Sequence, residues 1–219
     1  MQPLQTRSVY SSMKSIRNII IITAVALGIY STAQAQEEEY KSLFSLKNTR
    51  GYVGIHGGAL ALQNNALIAT SGGSAAVIFN HKLALGFTGT GFIGFQNVTV
   101  DNTLHSMTGG YGGLLIEPIL ASKRAVHLSF PISLGIGENQ YFQDPVGYRD
   151  WDWNYRDEFV QDFVYIQPGV NVEVNLTKFM RFGVTGSYLL TNVVNTTPVA
   201  SSQLDGLSVS ANLKLGWFK

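Results

Sequence analysis

His127-Leu128-Ser129 places an imidazole and a hydroxyl two positions apart, the spacing in this chain with the plainest capacity for chemistry. In nucleophilic catalysis the ring takes the hydroxyl proton and a carboxylate orients the ring, and Glu117 is available for that third role. The same side chains have a second reading. His56, Glu117, His127, Glu173, Arg181 and Lys214 all fall in the polar phase of alternating segments, each near the same end of its segment. Carboxylates and permanent cations brought to one level of a narrow interior are expected to close into an ion-pair network, since an unpaired buried charge is costly. Glu173 and Arg181 are expected to face each other across neighbouring strands.

A third cluster is aromatic. Between Glu138 and Phe163, Tyr141, Phe142, Tyr148, Trp151, Trp153, Tyr155 and Phe159 interleave with Asp144, Asp150, Asp152, Asp157 and Glu158 and with Arg149 and Arg156. Exposed loops on a rigid scaffold commonly carry binding, which makes Tyr148, Arg149, Trp151, Trp153, Tyr155 and Arg156 the candidate ligand-binding face. The other reading is an aromatic girdle folded over the mouth of a barrel. Asp150-Trp151-Asp152 lacks the pattern of a calcium loop. The chain has no cysteine, which removes disulfides, thiolate chemistry and cysteine metal sites. No metal and no cofactor is expected.

The elements that must position these residues are strands. From Ala125 to Gly137, Val126, Leu128, Phe130, Ile132, Leu134 and Ile136 alternate without interruption with small or polar residues. That is the period of two that sends successive side chains to opposite faces. Counting such alternations and turn signals along the chain gives about eight strands and no convincing helix. They run Gly51–Leu62, Leu67–Asn80, Leu83–Gly94, His105–Ile119 and Ala125–Gly137, then through Val164–Asn175 and Met180–Tyr188 to Gly206–Phe218. Connections are short after the second, fourth and sixth strands and long after the third, fifth and seventh. Lys82, Lys123, Arg124 and Lys178 lie on the short side, while most carboxylates lie on or beside the long loops. A transmembrane barrel shows this sorting of connections, with short turns in the periplasm and long loops outside.

Charged residues make up only 13% of the chain and glycines number 23, a low charge for a soluble domain. Arg7, Lys14 and Arg17 precede Ala35, so the formal net charge of +1 becomes mildly acidic once that part is removed, and no nucleic-acid partner is suggested. Lys14 and Arg17, the apolar Ile19–Tyr30 and Ala33-Gln34-Ala35 read as a signal peptide over 1–35, with Met13 an alternative start. The apolar stretch is short of the roughly 20 residues a spanning helix needs. A periplasmic segment, 36–50, beginning Gln36-Glu37-Glu38-Glu39, leads to the barrel, 51–219.

A soluble β-sandwich also alternates. Its outward polar phase would carry many Lys, Glu and Arg, whereas here that phase is mostly Gly, Ser, Thr and Asn, small enough to fill a narrow barrel. The expected fold is therefore all-β: an eight-stranded antiparallel up-and-down transmembrane barrel behind a cleavable signal peptide. From Gly51 to Lys219 the chain resembles the small outer-membrane barrels of Gram-negative bacteria, the OmpX and OmpA-domain type. The resemblance rests on topology and on the last strand, where Val209, Leu213 and Leu215 precede Trp217-Phe218, like the C-terminal signal read by the barrel assembly machinery; Lys219 after the aromatic residue is a departure.

The resemblance implies an outer-membrane location, contact with outer-membrane lipids and lipopolysaccharide, and a non-enzymatic role with a plugged lumen and a binding or adhesive loop for an extracellular ligand or protein. Some barrels of this size deacylate lipid A with a His-x-Ser pair, which His127 and Ser129 match in spacing. The alternation that turns Leu128 and Phe130 to lipid, however, turns His127 and Ser129 inward. A lipid A-modifying enzyme, a secretion or assembly accessory barrel and a soluble periplasmic β-protein stand as the alternatives.

Overall fold

The computed structural model describes residues 49–63, 66–100, 103–143, 159–195 and 204–218. The expected signal peptide, nearly all of the 36–50 segment and Lys219 lie outside them. So do Tyr148, Arg149, Trp151, Trp153, Tyr155 and Arg156.

The described residues form one antiparallel sheet of strands β1 (Arg50–Leu62), β2 (Leu67–Phe79), β3 (Leu83–Val100), β4 (Thr103–Leu120), β5 (Val126–Ser129), β6 (Ile132–Gln143), β7 (Phe159–Asn175), β8 (Met180–Val193) and β9 (Gly206–Trp217). Strands adjacent in sequence pair throughout except β5 and β6, which both pair with β4 on one side and β7 on the other, and β9 pairs back onto β1 from Gly51↔Trp217 to Leu62↔Gly206. The sheet thus closes into a ring and has no free edge along these strands.

The stretch expected to be one unbroken strand, 125–137, is divided. β5 and β6 both lie between β4 and β7, separated by Phe130 and Pro131. Proline has no N–H to give a ladder, and two further prolines adjoin the gap: Pro118 on β4 accepts from Phe130, and Pro168 on β7 stands opposite Ile132. The register survives the gap. Ile119↔Ser129 and Ile116↔Ile132 keep one alignment with β4, while Phe130 N still donates to Pro118 O at 2.9 Å and Gly169 N to Pro131 O at 2.8 Å. The ring counts eight or nine strands according to whether Pro131 is taken to divide one.

One end of the ring carries the tight turns. Asn80 and His81 have φ of 49° and 60°, and Lys82 N closes on Phe79 O at 2.9 Å. That is the type I′ geometry whose twist suits a hairpin. The Ala121–Arg124 turn has the same closing bond, Arg124 N on Ala121 O at 2.8 Å, but its positive φ, 53°, falls on Ala121 and not on the two central residues. At the opposite end, hereafter the loop end, two hairpins run further than expected. Val98-Thr99-Val100 pairs with Thr103-Leu104-His105, so the long connection expected after the third strand is mostly strand. Glu138–Tyr141 likewise pairs with Phe159–Asp162, which removes both ends of the loop expected from Glu138 to Phe163. Tyr141 is wholly buried and belongs to a strand.

The faces are sorted by the period of two. Val53, Ile55, Phe87, Leu114, Leu128, Ile136, Val172, Val209 and Leu215 point outward and are exposed, Ile136 to 72%. The inward face, expected to be a polar plugged interior, is layered. At the loop end Leu60, Ile68, Phe92, Met107, Tyr141, Phe163 and Leu189 pack into an apolar cap with Tyr111 and Tyr165, whose rings meet edge to face at 4.8 Å. At the turn end Tyr52, Ile78, Leu115, Ile119 and Phe218 form a smaller apolar layer. Polar and charged side chains fill the interior between them.

Candidate functional site

The charged residues of the interior come from five different strands of the ring. β4 supplies Glu117, β5 His127, β7 Glu173, β8 Arg181 and β9 Lys214, each at an inward position near the turn end. Closure of the ring brings together residues as far apart in sequence as Glu117 and Lys214. All five are at least nine-tenths buried, and Glu173 is wholly so.

Lys214 is the hub. Its Nζ lies 2.6 Å from Glu117 Oε1 and 2.5 Å from Glu173 Oε1, and 4.7 Å from the centre of the Tyr52 ring. Glu117 also accepts from Tyr52 Oη (2.7 Å) and from Ser129 Oγ (2.7 Å). Glu173 meets His127 Nε2 at 2.9 Å, accepts from Asn171 Nδ2 at 2.8 Å, and has Arg181 Nη1 at 3.7 Å. Two carboxylates against one lysine and one arginine balance formally with His127 neutral. Carboxylates that share a cation and saturate their remaining lone pairs with hydroxyl and amide donors satisfy the condition under which buried charge is tolerated.

Two details differ from what spacing suggested. Arg181 stands directly across from Asn175 on β7 and from Lys214 on β9, so it reaches Glu173 on the diagonal. Its guanidinium lies over the Phe218 ring at 3.9 Å, a cation–π contact that sets it against the turn-end apolar layer. His56 lies apart from the charged cluster. Its Nε2 is 3.0 Å from Thr90 Oγ1, and its ring occupies the space over Gly72, where a Cβ would come within 2.5 Å of that nitrogen.

Tyr52, Asn171 and Asn212 complete the polar layer and were not singled out from sequence. Asn212 donates to Asn171 Oδ1 at 3.2 Å and to Thr185 Oγ1 at 3.0 Å. The available signal was their inward phase at the level of Glu117 and Glu173, which only the ring's stagger converts into contact.

Above this layer lies a chamber of about 100 Å³, walled by the hydroxyls of Thr70, Thr88, Thr90, Ser133, Ser208 and others, with Glu117 and Lys214 at its foot. A polar chamber of this size has room for several ordered waters among these hydroxyls.

The chemistry of the His-x-Ser pair is decided by its partners. Ser129 Oγ gives its proton to the Glu117 carboxylate and accepts from Asn171, while His127 Nε2 is engaged with Glu173 and its Nδ1 has no partner. The imidazole is not placed to take the serine proton, so the nucleophile–base bond that defines such a site is not made. Both residues are shut inside, Ser129 wholly buried. No three His, Asp or Glu side chains come together to hold a metal ion among the described residues.

No family model matches this chain, and no curated protein does. Solved structures do. Neisserial surface protein A (NspA) superposes with a TM-score of 0.50 at 12% identity over 76% of this chain and 96% of that one. Ail, the attachment invasion locus protein of Yersinia pestis, gives 0.44 at 10% identity over 77% and 97%. At these identities the likeness is one of fold, and the superposition on NspA matches the closed, all-β antiparallel ring.

Proposed function

We propose that the protein is an exported outer-membrane barrel of eight strands, sealed to solutes and without enzymatic activity, which uses the loop between β6 and β7 to bind at the cell surface. The observation that carries the reading is the inversion of its faces. The ring buries Glu117, Glu173, Arg181 and Lys214 and exposes Ile55 and Phe87 to 67% each and Ile136 to 72%. In water each such exposed apolar side chain forgoes about 1.5–3 kcal/mol of burial. In a bilayer the same face is matched to its solvent, and ring closure satisfies the backbone groups that lipid cannot.

The surface reading is supported by NspA, a surface protein of the same fold, and by the sequence of the loop, in which Tyr148, Trp151, Trp153 and Tyr155 alternate with acids and with Arg149 and Arg156. Taking Pro131 as a proline within one strand gives eight, and the short turns then face the periplasm. Outer-membrane lipid and lipopolysaccharide surround the barrel, and the barrel assembly machinery inserts it.

The test is fractionation of the mature chain. It is expected to sediment with the outer membrane and to migrate differently on a gel with and without boiling. A soluble chain with no heat-modifiable migration refutes the barrel. Deleting Pro145–Arg156 is expected to leave insertion intact and abolish surface binding; a deletion that preserves every surface interaction removes the loop from the reading.

A further inference from the structure

The turn end carries a charge pattern that the sealed lumen and the surface loop leave unused. Lys82 lies in the β2–β3 turn, Lys123 and Arg124 in the β4–β5 turn and Lys178 in the β7–β8 turn, all exposed; Arg50 opens β1 at the same end. Among the described residues of these turns and strand ends there is no aspartate or glutamate. Glu117 and Glu173 lie inside the ring and are occupied by Lys214. Two of these cations, Arg50 and Lys123, share the surroundings of one turn residue. His81, in the β2–β3 turn, has its basicity lowered by burial and then by Arg50, Lys123 and Arg181.

Just inside this rim the outward face is apolar and partly aromatic. Phe179, 59% exposed, follows Lys178 directly, and Trp217, 80% exposed, pairs with Gly51 next to Arg50. Leu176, just after β7, and Val126 on β5 extend this exposed apolar surface at the same end. Rings at the level where a bilayer meets water, with cations one step further out, form the arrangement that places positive charge among headgroup phosphates. The loop end has the opposite sign, with Glu138, Asp162 and Asp205.

We propose that the turn-end rim, Arg50, Lys82, Lys123, Arg124 and Lys178, is a binding belt for the phosphodiester headgroups of anionic phospholipids in the leaflet at that end. This rests on the barrel reading. The occupant follows from the sign of the rim and from its continuity with the lipid-facing surface: a ligand on these turns adjoins Phe179 and Trp217, which a soluble polyanion would leave uncovered. A cation near an anionic membrane surface weights the local lipid by about fivefold, so several together select anionic over zwitterionic lipid well beyond bulk composition, and salt weakens the selection.

The test reconstitutes the full mature chain into vesicles of phosphatidylcholine containing a minor share of phosphatidylglycerol, extracts it with its lipid annulus, and weighs the two lipids by mass spectrometry. Severalfold enrichment of phosphatidylglycerol is expected. The combined variant Lys82→Gln, Lys123→Gln, Arg124→Gln and Lys178→Gln should keep heat-modifiable migration and lose the enrichment. A folded wild type with no enrichment, or a variant that retains it, overturns the proposal while leaving the barrel intact; a chain that does not insert overturns both. Enrichment that arises only in Glu37→Gln, Glu38→Gln, Glu39→Gln would show that the chain's own acidic segment occupies the rim, and overturns the proposal equally.

Discussion

Replacing Lys214 by methionine is the sharpest test of the interior. Methionine fills much of the same volume but removes the ammonium within 2.6 Å of Glu117 and 2.5 Å of Glu173. Removing one partner of a buried pair costs about 3–5 kcal/mol, because the charge left behind has neither water nor a counter-ion. Two carboxylates are stranded here, but unequally. Glu173 keeps His127 at 2.9 Å and Arg181 at 3.7 Å, whereas Glu117 keeps only the hydroxyls of Tyr52 and Ser129. The penalty therefore falls mainly on Glu117, and the whole is expected at about 3–5 kcal/mol. Adding Glu117→Gln restores charge balance, with Glu173 set against Arg181, and is expected to recover most of the loss, a coupling of about 2 kcal/mol or more. Equilibrium urea unfolding of the vesicle-inserted protein, followed by tryptophan fluorescence and gel mobility, reads both variants. A loss under about 1 kcal/mol for Lys214→Met, or additivity in the double variant, refutes the account of Lys214 as hub.

Gly72 and Gly89 differ in the space behind them. A Cβ at Gly72 meets His56 and the Gly89 carbonyl, while one at Gly89 meets nothing within 4 Å. Gly72→Ala should cost about 1–3 kcal/mol in the same unfolding assay and Gly89→Ala close to nothing; equal costs contradict the placement of His56. Expression of the protein should leave lipid A fully acylated, read by mass spectrometry of extracted lipid A. Deacylation that disappears in His127→Ala would mean that the pair is assembled in a state other than this one. Asp205, between the strands, accepts from Thr191 N at 2.7 Å and Thr191 Oγ1 at 2.8 Å, and burial raises its pKa above the ordinary carboxyl value despite these bonds. The folded chain then holds this proton to higher pH than the unfolded one, so its contribution is present below the unfolded pKa and lost as pH rises through the folded one. Stability should therefore fall slightly across the mildly acidic range, and Asp205→Asn should flatten that slope; a slope of the opposite sign refutes the assignment.

The direction of side chains was legible because a strand has no freedom in it. Val53, Ile55, Leu85, Leu114, Val172 and Val209 stand on the outward phase where alternation puts them, and His56, Glu117, His127, Glu173, Arg181 and Lys214 on the inward one. The ends of hairpins were less legible, since pairing beyond the apolar belt depends on what lies across. Val98-Thr99-Val100 is a β-branched run that any strand would accept, and it became strand because Thr103–His105 returns beside it. The interruption at Pro131 was hidden for the opposite reason. Proline keeps the alternation intact while withholding a hydrogen-bond donor, so a reading of polarity passes over it.

The interior shows where periodicity stops being informative. A period of two says that Leu60, Phe92, Met107 and Leu189 point inward, which a polar interior does not account for. They are accounted for once the lumen is treated as a core closed by side chains, with the same demand for close packing as any other. The apolar cap closes the loop end, and the Tyr52–Phe218 layer closes the turn end. Between these layers the buried charges are largely withdrawn from solvent, and most of the bonds to each carboxylate come from the chain itself. The stagger of the ring makes those bonds by bringing Ser129, Asn171 and Tyr52 to the acids. The spacing of His127 and Ser129 is then a consequence of two inward positions on one strand, each holding a different glutamate in place: Ser129 holds Glu117, and His127 holds Glu173.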